Sequence, residues 1–250
     1  MSHAFEVPDE LSFDLSPEAV WDAIATGPGI SSWFMGATEV RPEDGVVTTR
    51  MGGWQQESQI VALEPGRRFA FRGAESPDGR FFAMEFLLEA RDSGSTVLRV
   101  VSSGFLPADD WEDEYEAMRS GGRMYVHTLA QYLTHFTGRP GIAVTPSGAA
   151  GDLDGAWAAA KADLGLADDV AVGDAVTLTP TGLPPIEGVV DWAAPDVVGV
   201  RTVDALYRFF RGFYAPTVGH HLFGTTDETS ATAAWQGWLD AVTAREGDRP

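Results

Sequence analysis

The side chains able to do chemistry in this sequence are few, and their spacing argues against most reactions. The histidines are His3, His127, His135, His220 and His221. His127 and His135 stand about two helical turns apart, not at the i,i+4 spacing that presents two imidazoles to one zinc ion. His220 and His221 are adjacent, so on a strand they point to opposite faces. No metal site and no cofactor is expected. Ordinary polar or core histidines are the better reading, with His127, one position past an apolar helical stripe, the alternative candidate for a pocket border. The chain contains no cysteine, which removes thiol nucleophiles, disulfides and thiolate metal ligands. It has no Gly-x-Ser-x-Gly elbow, phosphate loop or dinucleotide fingerprint. The acidic run Asp109-Asp110-Trp111-Glu112-Asp113-Glu114 lacks the alternating ligands and central glycine of a calcium loop. At a helix start the same residues simply favour the helix dipole. No residue is assigned a catalytic role.

What remains is apolar recognition. The chain has 14 Phe and 8 Trp. Trp33, Phe34, Trp54, Phe82, Met84 and Phe86 lie in elements that would converge with Trp111, Tyr115, Met118 and Tyr125 between a sheet and a long helix. They form either a filled core or the wall of a ligand cavity; buried Trp and Tyr need partners for their polar tips, which tilts towards the cavity. Arg99, between Val97 and Val101, and Gln59, between Glu57 and Val61, are polar groups for that wall, or else line an open, wet sheet face. Gly121-Gly122 in mid-helix costs about 1 kcal/mol per residue relative to alanine, which suggests close approach of a strand or a ligand.

These residues must be positioned by an α+β architecture. Residues 4–15 alternate as a strand, with Pro8-Asp9 suiting an edge or bulge. Ser16-Pro17-Glu18 supplies an N-cap, a proline at the first helical position and a first-turn carboxylate. That helix ends at Gly27-Pro28-Gly29, before a second short helix at 30–34. Six strands follow, at 37–42, 45–51, 54–63, 68–73, 81–90 and 95–103, separated by turn sequences such as Glu64-Pro65-Gly66 and too close for parallel crossovers. A helix over 109–137 carries apolar residues at spacings of three and four and must bury that stripe against the sheet.

Three stretches carry a family resemblance, in register over about residues 5–138. Ser16-Pro-Glu-Ala-Val-Trp-Asp-Ala-Ile24 with Ile30-Ser-Ser-Trp33 is similar to the opening of START-like (SRPBCC) domains. Ile60-Val-Ala-Leu-Glu-Pro-Gly-Arg-Arg-Phe-Ala-Phe71 resembles their central hairpin. Gly104-Phe105 followed by Trp111 to Phe136 resembles the closing helix of the branch named for the activator of heat-shock-protein-90 ATPase. The resemblance implies a helix-grip fold, a curved antiparallel sheet wrapped around a long C-terminal helix, often with an apolar cavity between them. Together with the lack of a recognisable catalytic set, it favours a noncatalytic protein holding a hydrophobic, apolar or aromatic small molecule. Relatives also include polyketide cyclase/aromatase enzymes, for which Arg99, Tyr115, Tyr125 and His127 would be the polar groups, and chaperone-interacting modules. The matched motifs are structural and do not choose among these functions.

The segment Thr137–Gly151, rich in glycine and proline, divides the chain. A START-like domain is expected at 1–139, a linker at 140–151 and a smaller α+β domain at 152–247. The second domain has helical patterns at 152–164 and 227–244 around strand-like stretches at 175–179, 186–192, 197–203, 205–213 and 217–223. It is either a shortened repeat of the first or an unrelated α+β fold. Trp192, Phe209, Phe210, Phe213 and Tyr214 are more apolar surface than a small sheet hides, implying a homodimer or an extensive interdomain interface.

Composition bounds the partners. The 250 residues hold 17 Lys+Arg and 37 Asp+Glu, a net charge of −20. Nucleic acid and anionic membranes need clustered positive charge and are excluded as partners. No run of about 18 apolar residues spans a membrane, and no secretory signal pattern opens the sequence, so a cytoplasmic protein is expected; that it is bacterial is implied by the family resemblance alone.

Overall fold

The structure is a computed structural model. It describes residues 3–77, 79, 81–91, 94–106, 111–212, 215–224 and 227–247, with side chains described for all but 3, 4, 105, 106, 111–120 and 245–247. The chain divides into two compact units, Met1–Pro140 and Gly141–Pro250.

In the first unit, β1 (His3–Phe13) leads to α1 (Pro17–Ala25) and α2 (Gly27–Ser31). Ser16 caps α1, its hydroxyl accepting from the Ala19 N–H. Thr26 caps α2 in the same way through Gly29. Gly29 is required where the helices meet, because a Cβ there would overlap the Asp22 carbonyl oxygen. Strands β2 (Ala37–Arg41), β3 (Val46–Met51), β4 (Trp54–Glu64), β5 (Arg68–Gly73), β6 (Phe81–Ala90) and β7 (Thr96–Leu106) follow, then α3 (Trp111–His135). The sheet order is β1-β7-β6-β5-β4-β3-β2, antiparallel throughout. The first strand therefore pairs with the last, and α3 packs on both.

Alternation sorts the sheet into two faces. Phe69, Phe71, Met84, Phe86, Leu98 and Val100 are buried on the inner face. They meet Leu129, Tyr132, Leu133 and Phe136 from the C-terminal half of α3, which are buried as well. A β-bulge between Ile60 and Ala62 shifts the register of β4 on β5. In consequence Val61 is 61% exposed although its neighbours in sequence are apolar.

The second unit begins with β8 (Ile142–Val144), inside the stretch expected to be a linker. Its three residues are too few for a periodic signal, yet they pair with β14 (His220–Leu222). Between these two lie α4 (Leu153–Leu164), β9 (Ala175–Leu178), β10 (Ile186–Ala194), β11 (Val197–Arg201), β12 (Ala205–Phe210) and β13 (Thr217–Val218). The helix α5 (Glu228–Gly247) closes the chain. The order is β8-β14-β12-β11-β10-β9, with β13 beside β12. Here too the first strand pairs with the last. The expected continuous strand at 217–223 is broken at Gly219, which separates β13 from β14. Phe213 and Tyr214 lie outside the described residues.

Candidate functional site

The inner face of the first sheet has two ends. At the end near α1 and α2, aromatic rings interlock around Phe86. Trp33 meets it edge-on at 6.0 Å and Phe69 stacks on it at 6.4 Å. Phe34 lies 5.2 Å from Trp33. Trp33 is 1% exposed and its indole N–H donates to the Ala23 carbonyl at 2.9 Å, so its polar tip is satisfied by α1 and not by a ligand. Such ring pairs contribute about 0.5–1.5 kcal/mol each beyond area burial. This end is filled core.

The other end is polar and less closed. Register pairs Val47 with Ser58, Thr49 with Gln56, and Ser58 with Gly73 across β3, β4 and β5. Gln56, Ser58 and Gly73 therefore share the inner face with Phe71 and Met84. Gly73 leaves room for a side chain from the next strand, because a Cβ there would collide with the Gln56 amide nitrogen. Ser58 is 7% exposed. Ser102, half-buried on β7, pairs with Met84 on this face. Thr38 and Thr49 satisfy each other, with hydroxyls 3.2 Å apart. Opposite stand Gly121, Gly122 and Tyr125, which share one side of α3 by their i,i+3 and i,i+4 spacing. Tyr125 packs its ring 5.4 Å from Phe34, which fixes that side as the one facing the sheet. Burial pushes the Tyr125 hydroxyl pKa far up, so it stays protonated. A Cβ on Gly121 or Gly122 would meet no atom of the described residues within 4 Å. The glycine pair thus borders open space, and of the two approaches that mid-helix glycines suggested, that of a strand is not found among the described residues.

The residues singled out in the sequence distribute unevenly over these two ends. Trp33, Phe34 and Phe86 belong to the filled end. Met84, 3% exposed, and the half-buried Phe82 and Tyr125 sit at the open end. Trp54 is 46% exposed where β3 turns into β4. Arg99 is on the outer face, paired with Glu10 of β1 at 3.2 Å, and so is removed from any inner wall. Gln59 is likewise on the outer, exposed side of β4. The side chains of Trp111, Tyr115 and Met118 lie outside the described residues. Gln56, Ser58 and Ser102 were missed. The apolar Val61 and Leu63 set the wrong phase for β4, because both are exposed, in step with Gln59, and the even positions are the less exposed ones along the strand. The usable signal was the alternation Trp54-Gln56-Ser58-Ile60 ahead of the bulge.

The second unit buries its reactive groups. On the side facing α5, Tyr207, Phe209 and Trp235 surround His220 at ring distances of 4.9, 5.0 and 4.3 Å. His220 is fully buried, and its Nδ1 accepts the Arg208 backbone N–H at 3.1 Å, which places the imidazole proton on Nε2. Burial, then the neighbouring His221 and Arg208, hold its pKa well below the ordinary value. Arg208 itself reaches across β11 to clamp Asp191 at 2.9 and 2.7 Å, both side chains buried. The space for this pair is left by Gly199, where a Cβ would stand 2.8 Å from either partner. Asp191 is the residue at the register shift of β10, so the bulge aims its carboxylate. Among the described residues no group of three His, Cys, Asp or Glu is placed to hold a metal ion. Among them, too, no helix is long and apolar enough to cross a membrane.

Residues 14–134 match the family described as Activator of Hsp90 ATPase homolog 1-like protein. No curated protein matches the chain. Similar solved structures include a protein from Mesorhizobium loti, 22% identical, covering 53% of this chain and 98% of that one with a TM-score of 0.45. Another is the Aha1 dimer from Colwellia psychrerythraea, 18% identical, covering 52% and 96% with a TM-score of 0.41. A protein from Bacillus halodurans is 23% identical, covering 51% and 96% with a TM-score of 0.44. Over residues 14–134 the first unit belongs to the START-like superfamily, in the branch of Activator of Hsp90 ATPase homolog 1-like proteins.

Proposed function

We propose that the first unit is a noncatalytic binding module that holds a small apolar molecule between the inner face of its sheet and α3. The observation that carries this reading is the open space beside Gly121 and Gly122, on the side of the helix that should be packed. An α-helix that buries its stripe fully leaves no such gap. The floor opposite is apolar at Phe71 and Met84, which suits a dry ligand body. The polar side chains lining the sheet at this end, Gln56, Ser58 and Ser102, include no histidine or carboxylate to serve as a base, so binding is favoured over a cyclase reaction.

The test uses the full chain with an environment-sensitive apolar dye. A ligand that binds only the native state raises the melting temperature by mass action. The dye should do so, and Gly122→Phe, which fills the gap, should abolish the shift while Gly122→Ala keeps it. A wild-type chain that neither binds the dye nor shifts its melting temperature would overturn the reading.

The domain division at 137–151 is part of the same proposal, with the second unit as a shortened copy of the first. Both sheets place the first strand beside the last and descend in order from there, which supports it. The copy has one helix, α4, where the first unit has α1 and α2. Its helix-facing side is occupied by the rings of Phe209, Trp235 and Trp238, 5.5–5.9 Å apart, so the binding role is assigned to the first unit alone.

A further inference from the structure

We infer that the molecule held in the first unit is uncharged and carries a carbonyl or hydroxyl group on an apolar body; this rests on the binding role proposed above. Two side chains carry the inference. Gln56 extends over Gly73 on the inner face, half-buried, and its carboxamide makes no hydrogen bond to any described group. Ser58, one inner position further along β4, is 7% exposed and also makes no side-chain hydrogen bond. Its hydroxyl is not among the sealed, unpaired polar atoms of the described residues, so the small exposure it retains includes Oγ. A nearly buried hydroxyl left open and unpaired beside an unpaired amide is unusual in a packed sheet, where such groups find partners. Gly73 reinforces the point, since any larger residue there would displace the Gln56 amide.

The chemistry of the pair defines its ligand. A carboxamide and a hydroxyl each donate and accept, so together they match a neutral carbonyl, hydroxyl or amide. They carry no charge and cannot compensate an ionised group brought out of water. Around them the described inner face offers Phe71, Met84, Thr49 and Ser102, again uncharged. Arg68, Arg72 and Arg99 belong to the outer face by alternation, with Arg99 paired to Glu10 and Arg68 to Glu85. An anionic ligand would also approach a chain of net charge −20.

Calorimetric titration of the full chain with three probes of one shape tests this: naphthalene, 2-acetylnaphthalene and 2-naphthoate. The ketone should bind about 5- to 10-fold more tightly than the hydrocarbon, the value of one net hydrogen bond, and the carboxylate more weakly than the ketone. Gln56→Leu should bring the ketone to within about twofold of naphthalene, with naphthalene affinity retained. Ser58→Ala should reduce the preference in the same direction, and an unchanged melting temperature in each variant verifies the fold. If no probe binds, the binding role itself falls. If naphthalene and the ketone bind alike, if the carboxylate binds tightest, or if Gln56→Leu keeps the preference, the binding role stands and this inference is overturned.

Discussion

At the scale of single residues, the second unit concentrates its risk in two buried polar arrangements. His220 completes the hydrogen-bond ladder of β12 where Gly219 interrupts the last strand, and it does so as a neutral imidazole. The groups facing it are the charges of Arg208 and His221, and burial dominates both in lowering its pKa. The unfolded chain takes up a proton near pH 6.5, which the folded chain refuses. The stabilisation is therefore complete above that pH and declines as pH falls through 6.5 towards the depressed folded value, with a slope approaching about 1.4 kcal/mol per pH unit. His220→Gln keeps a side-chain acceptor and does not titrate. Urea midpoints measured from pH 8 to 5.5 should show the wild type losing its advantage over this variant on acidification. A constant difference between the two would mean that His220 is not held neutral. The Arg208–Asp191 pair makes a second, pH-independent statement. Arg208→Met leaves a buried carboxylate alone and should cost about 3–5 kcal/mol, whereas Arg208→Met with Asp191→Leu should recover much of that. Equal losses in the single and double variants would contradict the pairing.

At the scale of elements, glycine separates places where the backbone is crowded from places where it is open. In α2, alanine at Gly29 would force the helix off the Asp22 carbonyl of α1. Such overpacking costs about 1–3 kcal/mol or more. In α3, a Cβ at Gly121 or Gly122 meets no described neighbour within 4 Å, so alanine at either should stabilise by up to about 1 kcal/mol. Thermal unfolding of Gly29→Ala and Gly121→Ala should thus move the midpoint in opposite directions; a fall for Gly121→Ala would remove the open space. The same elements mark how far the sequence is legible. The cap at Ser16, the turn sequences and the apolar stripe of α3 act locally, so they can be read from neighbours along the chain. The phase of β4 cannot, because Val61 and Leu63 are apolar yet exposed, and only the partner strands reveal which alternate residues face in. Gln59 was accordingly offered for an inner wall or an open sheet face, and Gln56 and Ser58 were overlooked. Arg99 illustrates a related ambiguity: flanked by valines on both strand faces, it gives no phase of its own. The strand β8 escaped for a third reason, since three residues carry no period and its pairing partner lies some eighty positions away.

At the scale of the whole molecule, charge is the one property spread over both units. With 17 basic and 37 acidic side chains, even complete pairing leaves 37 − 17 = 20 carboxylates without a cation. The basic and acidic residues number 11 and 22 up to position 141 and 6 and 15 beyond it, so the excess is −11 and −9. Local ion pairs such as Arg68–Glu85 at 2.6 Å and Arg99–Glu10 at 3.2 Å are part-exposed and contribute about 0.2–1 kcal/mol each at most. Salt weakens these pairs and also weakens the repulsion among the unmatched carboxylates. The two effects have opposite signs, and their ranges decide the balance. The Debye length falls from about 30 Å at 0.01 M to about 8 Å at 0.15 M. Contact pairs at 3 Å lie inside that range at both concentrations, whereas repulsion summed across a unit lies mostly beyond 8 Å. Screening therefore removes more repulsion than attraction. The melting temperature at pH 7 should rise between 10 and 150 mM NaCl, and Arg68→Gln, which deletes one contact pair, should leave the size of that rise nearly unchanged. A melting temperature that falls with salt would instead mean that the surface pairs, few as they are, outweigh the excess of twenty negative charges.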